Sequence, residues 1–120
     1  MPKTHVVIFA AEDGSSPLLE WMDALQVKAR DKCLVRIERL AELGHELQRP
    51  EADYLRDDIY ELRARHGNLQ HRILYFFHEG SAVLSHGCTK EDVVPPADID
   101  RAIANRARFN QNPARHTYEE

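Results

Sequence analysis

The sequence predicts an α+β domain in which helices cover one face of a small antiparallel sheet, with elements in the order β-α-α-β-β-β-α. Three observations predict it. A continuously apolar, β-branched stretch opens the chain and is followed by two apolar stripes at helical spacing. The periodicity then switches to two in three consecutive strand-like runs separated by short polar turns. A final helical stripe follows them, and helices segregated from a run of strands are the mark of this class. With 120 residues, one domain spanning 1–120 is expected, with residues 110–120 as a flexible polar tail.

The first element is "THVVIFAA" (4–11), rich in β-branched and aromatic residues and apolar on both parities, as a buried strand would be. "EDGSSP" breaks it, placing Ser16 to cap a helix and Pro17 at its first position. Leu18, Trp21, Met22, Leu25 and Ala29 then make one apolar helical stripe. Cys33, Ile37, Leu40 and Ala41 make a second, ending at Gly44, a natural left-handed stop. The change of face near residues 29–32 predicts two helices in a hairpin.

Residues 44–58 read as a charged connector. From Ile59 to Arg65 the chain alternates, with Tyr60, Leu62 and Ala64 on one face and Glu61, Arg63 and Arg65 on the other. "HGNLQ" is a turn, and Arg72 to Phe77 is apolar on both faces, as a central strand is. "HEGS" turns into a third strand over Ala82 to His86. His66 and His78 read as turn residues and Tyr75 as core. "ADIDRAIANRARF" then places Ile99, Ala102 and Ile103 on one side of a helix.

Charge narrows the function classes. The net charge is −4, and the acid is concentrated in "EADYLRDDIYEL" (51–62), which holds five carboxylates against one arginine. A polyanion is not attracted by such a molecule as a whole, so nucleic-acid binding must be local and confined to a few phosphates. The longest apolar run, Val6 to Ala11, is far short of the roughly 18 residues a membrane span needs. A cytoplasmic protein with no membrane contact is expected. Cys33 and Cys88 lack metal-ligand spacing and are expected as free thiols. No metal or organic cofactor is expected.

Against that background, the arginines at 63, 65 and 72 call for an explanation. A plain one exists: an open sheet face needs polar residues, arginine stems cover apolar surface, and Glu61 can pair with a neighbour. Arg72 fits it less well, because it opens an otherwise apolar central strand, where it converges on Arg63 and Arg65. Guanidiniums at close range repel unless an anion lies between them, and their planar forks suit phosphate oxygens. Lys90, just past the third strand, adds a fourth cation to that corner. His86, at the end of the third strand, is the candidate for proton transfer, since histidine titrates near pH 6.5 unperturbed. His71, beside Arg72, is the second histidine of interest.

"DIYELRARHGNLQHRILYFFHEG", followed by "LSHGCTKED" and "PPADIDRA", resembles the HigB-type, phage-derived branch of the RelE/ParE toxin superfamily. The resemblance covers residues 4 to 109 and is most specific from Tyr60 to Lys90. It implies a RelE-like fold and the toxin of a type II toxin–antitoxin pair. The implied activity is a metal-independent endoribonuclease that cleaves messenger RNA on translating ribosomes. It also implies a helix-turn-helix, HigA-like antitoxin partner, with operator DNA reached only through that antitoxin. Carried across by motif position, Arg63, Arg72 and Lys90 are catalytic candidates and Arg65 binds RNA phosphate. His86 joins the catalytic candidates, and His71 the phosphate-binding ones, on their own chemistry and position and not on the motif. Where the family often shows Phe-x-Lys-Lys, this chain has Cys88-Thr89-Lys90-Glu91. Two alternatives therefore stand beside the nuclease: a non-catalytic, ParE-type binding toxin acting on DNA gyrase, and a prophage relic that retains only antitoxin binding.

Overall fold

A computed structural model describes residues 3–90 and 93–119. Strand β1 (Val6–Ile8) leads to helices α1 (Pro17–Asp23) and α2 (Val27–Leu43) and a short 3-10 turn at Gly44–Glu46. Strands β2 (Ala52–Arg56), β3 (Ile59–His66), β4 (Leu69–His78) and β5 (Ser81–Lys90) come next, and helix α3 (Pro96–Gln111) follows. The α+β class and the two-helix hairpin agree with the sequence reading. Ser16 Oγ accepts from Leu19 N at 3.1 Å, so the expected cap is made. Gly44 has φ +56° and lies against Thr4, a conformation and a space that favour glycine.

The sheet is larger than expected. Its order is β1-β5-β4-β3-β2, mixed rather than antiparallel, because β1 pairs parallel with β5 while the other pairs are antiparallel. Strand β2 forms inside the charged connector. It pairs with β3 through a turn at Asp57 and Asp58, both with positive φ. That geometry matches the twist of a tight hairpin, though glycine or asparagine is its usual signal.

Two apolar clusters lie on opposite faces of the sheet. Leu18, Met22, Cys33 and Leu40 from the helical hairpin meet Leu62, Ala64, Ile73, Tyr75 and Leu84 on one face. Leu74, Phe76 and Val83 meet Ile99, Ala102 and Phe109 of α3 on the other. The helical layer expected on one face is therefore made by α1 and α2, and α3 covers part of the face the arginines occupy. The parity of β4 explains why: an all-apolar central strand leaves two faces to be buried.

The polar C-terminal segment, expected as a flexible tail, is bonded to β1. Ala10 N donates to His116 O at 2.7 Å and Tyr118 N to Ile8 O at 2.8 Å. The His116 ring is buried and stacked on Phe9.

Candidate functional site

The β3–β4–β5 register arranges the arginine-bearing face as a grid. One row is Glu61, Leu74 and His86; the next is Arg63, Arg72 and Cys88; the outermost is Arg65, Gln70 and Lys90. Helix α3 packs over the Leu74 end. The structure thus brings Arg63, Arg65, Arg72, Lys90 and His86 onto one face. A register shift between Leu74 and Tyr75 makes this possible for His86: Tyr75 pairs with Leu84 and Leu74 with His86, skipping Ser85. Without that bulge, His86 would share the parity of Ala82 and Leu84 and point at α1.

His71 is the exception. It stands on the opposite face, its Nδ1 2.9 Å from Thr89 Oγ1 and its ring edge-on to Trp21. Burial, followed by the nearby His66, lowers its pKa. An RNA-binding role shared with Arg72 does not fit this placement, because neighbours in a strand point to opposite faces.

The anion between the arginines belongs to the protein. Glu61, 1% exposed, accepts from Arg63 Nε at 3.0 Å and from Arg72 Nη1 with the same oxygen. Arg63 Nη2 also donates to Asp53 at 3.1 Å, and Arg49 reaches that carboxylate at 2.9 Å. The Arg49 hydrogen bond is the main reason the Asp53 pKa is lowered. Arg72 is 7% exposed, whereas the Arg63 side chain is 27% exposed. Of the paired arginines, Arg63 is the one with a surface to offer. Arg65 and Lys90 are exposed.

His86 is 1% exposed and doubly engaged. Its Nδ1 lies 2.9 Å from Ser85 Oγ and its Nε2 3.2 Å from Asp98 Oδ1. Asn105 Nδ2 donates to Ser85 Oγ at 2.9 Å, so the network ties β5 to α3. Burial first, then the charge of Arg101, lowers the His86 pKa against the opposing pull of Asp98.

The sequence carrying this grid can be matched to a family. Residues 20–107 match the family described as Phage derived protein Gp49-like (DUF891). The chain belongs to this family. Gp49-like proteins are phage-derived and RelE-like, related to toxins. No curated protein matches the chain.

In this Gp49-like protein Cys88, directly opposite Arg72, has its thiol pushed up to about 11 by burial. It is a packing residue, since the reactive form of cysteine is the thiolate. Glu91, the acid that follows Lys90, lies outside the described residues. Among the described residues no group of three or more His, Cys, Asp or Glu side chains is placed to hold a metal ion, and no helix is long and apolar enough to cross a membrane. Sequence reading missed Asp53 and Arg49, which reach the grid from β2 and the segment before it. Finding them required the β2–β3 pairing. Glu61 was visible, because it shares the parity of Arg63.

Proposed function

We propose that this Gp49-like protein is the toxin of a type II toxin–antitoxin system and an endoribonuclease that cuts messenger RNA on translating ribosomes. The observation that carries the reading is the grid itself: Arg63 directly opposite Arg72, with Arg65 and Lys90 exposed in the next row. Cleavage proceeds by attack of a ribose 2′-OH on the adjacent phosphorus as the 5′-oxygen leaves. Charge builds on the phosphoryl oxygens, which guanidiniums are suited to stabilise. Arginine remains protonated at physiological pH and so cannot itself shuttle the protons.

Arg63 contacts the scissile phosphate in this scheme, and Arg65, in the next row, binds RNA phosphate beside it. Arg72 is a positioning residue, held by Glu61 and lending its charge from behind. Lys90 supplies the proton to the leaving 5′-oxygen, and the proton that the attacking 2′-OH loses passes to solvent water. His86 fixes α3 through Asp98 and so sets the wall of the site. RNA specificity comes from the ribosome presenting the message, which relaxes the need for a basic surface on an acidic protein. A HigA-like antitoxin neutralises the toxin.

A second reading is a non-catalytic binding toxin acting on DNA gyrase. It is favoured by the neutralisation of Arg63 and Arg72 by Glu61 and Asp53. Inducible expression in bacteria of wild type and Arg72→Ala, with 5′ ends of cellular RNA mapped, separates the two. Growth arrest with new cuts inside translated messages, for wild type only, is the expected result. Arrest with DNA damage and uncut messages would replace the nuclease by the gyrase reading.

A further inference from the structure

A second cationic site lies around the edge of β3 from the arginine grid. Pairing of β2 with β3 ends at Ala52 and Leu62, so the outer half of β3 is an edge that α2 covers. Lys32 and Arg36, one turn apart on α2, donate to the carbonyls of Arg65 at 3.0 Å and Arg63 at 2.8 Å. Together with Arg65 and Val35 they line a cavity of about 220 Å³. Capping those carbonyls explains one donor of each side chain and blunts the edge. It does not explain the convergence of three cations on one cavity. Among the described residues no carboxylate is paired with Lys32 or Arg65; Arg36 has Glu51 at 3.6 Å.

Arg65 lies between the two sites. It is two residues along β3 from Arg63, about 6.6 Å at the usual strand rise, a separation close to that of successive phosphates in an extended single strand. We propose that the Lys32–Arg36–Arg65 cavity binds a backbone phosphate of single-stranded RNA next to the one held at Arg63, so that the message wraps over the edge of β3. The inference rests on the nuclease reading for its ligand. A cavity lined by cations with spare N–H donors favours a phosphodiester, which neutralises charge without base recognition.

The test uses a non-cleavable 2′-O-methyl RNA oligonucleotide and fluorescence anisotropy, comparing wild type, Arg65→Gln, Lys32→Gln and the α3 control Arg106→Gln across a salt series. Arg65 makes no side-chain hydrogen bond that the fold needs among the described residues, so Arg65→Gln should melt as wild type does. Arg65→Gln and Lys32→Gln are each expected to weaken binding about tenfold and to reduce the salt slope by about 0.7 for each phosphate that is no longer neutralised. Arg106→Gln should change neither. Unchanged affinity and slope in Arg65→Gln would overturn the proposal. So would intact RNA affinity with lost antitoxin binding, which would assign the cavity to an acidic segment of the antitoxin. RNA binding that depends on Lys32 and Arg65, in a protein that cuts no message, would keep the cavity and remove the nuclease. Cutting that is indifferent to Lys32 would do the reverse.

Discussion

Arg63 and Arg72 face each other across β3 and β4 and donate to one and the same oxygen of Glu61. Two like charges at a directly opposed strand pair would destabilise the sheet. The buried carboxylate turns that conflict into a fixed positive edge whose outer member, Arg63, remains partly exposed. Glu61→Gln is expected to destabilise the fold by about 3 kcal/mol or more, because it leaves two guanidiniums sharing a neutral acceptor in a buried setting. Denaturant unfolding checks it. A midpoint equal to wild type would show that Glu61 does not hold the pair.

Gly87 lies against the Trp21 ring, and a Cβ built at position 87 would overlap the indole carbons. Gly87→Ala therefore forces α1 away from β5. The expected cost is about 1–3 kcal/mol, read as a lower Tm together with a shift in the emission of the single tryptophan. Unchanged emission would argue against this contact.

His86 and His71 both have their pKa lowered, chiefly by burial. The unfolded chain, with histidines near 6.5, takes up protons before the folded one does. Stability from these groups is present in full above that value and is lost as pH falls through 6.5 toward the lower folded values. Tm should drop between about pH 7.5 and about pH 5.5, and His86→Gln should flatten the slope while lowering stability overall. An equally steep slope in His86→Gln would remove His86 from the account.

His116 closes the C-terminal segment over β1. Its Nδ1 donates to Ala10 O at 2.7 Å, its Nε2 lies 3.3 Å from Glu12, and its ring stacks on Phe9. His116→Ala is expected to cost roughly 2 kcal/mol, from the lost hydrogen bond and buried ring. Amide exchange at Ala10 and Tyr118 should accelerate with it. Unaltered protection there would mean that the segment is held by other contacts.

The meander was legible because β3 and β4 obey simple rules: strict alternation in one and apolarity on both parities in the other. The second of those rules also implied two buried faces, and so a place for α3 beside the arginines. Strand β2 was not legible. "ADYLR" lies among charges, and its turn uses two aspartates in place of the usual Asn-Gly. Placing His71 with Arg72 ignored the alternation that separates strand neighbours, whereas the placement of His86 depended on a bulge at Ser85 that no periodicity reveals. The anion expected between the arginines was a phosphate, and in the structure Glu61 holds that place. Its shared parity with Arg63 had offered Glu61 only as an ordinary pairing partner, and nothing local pointed to Asp53.

The central claim is that Arg63 presents charge to a phosphate undergoing cleavage. Single-turnover cleavage of a message held on purified ribosomes, comparing wild type with Arg63→Gln, tests it most directly. The account predicts a loss of roughly 100- to 1000-fold in rate in a variant that still binds the ribosome. Equal rates for the two proteins would contradict it.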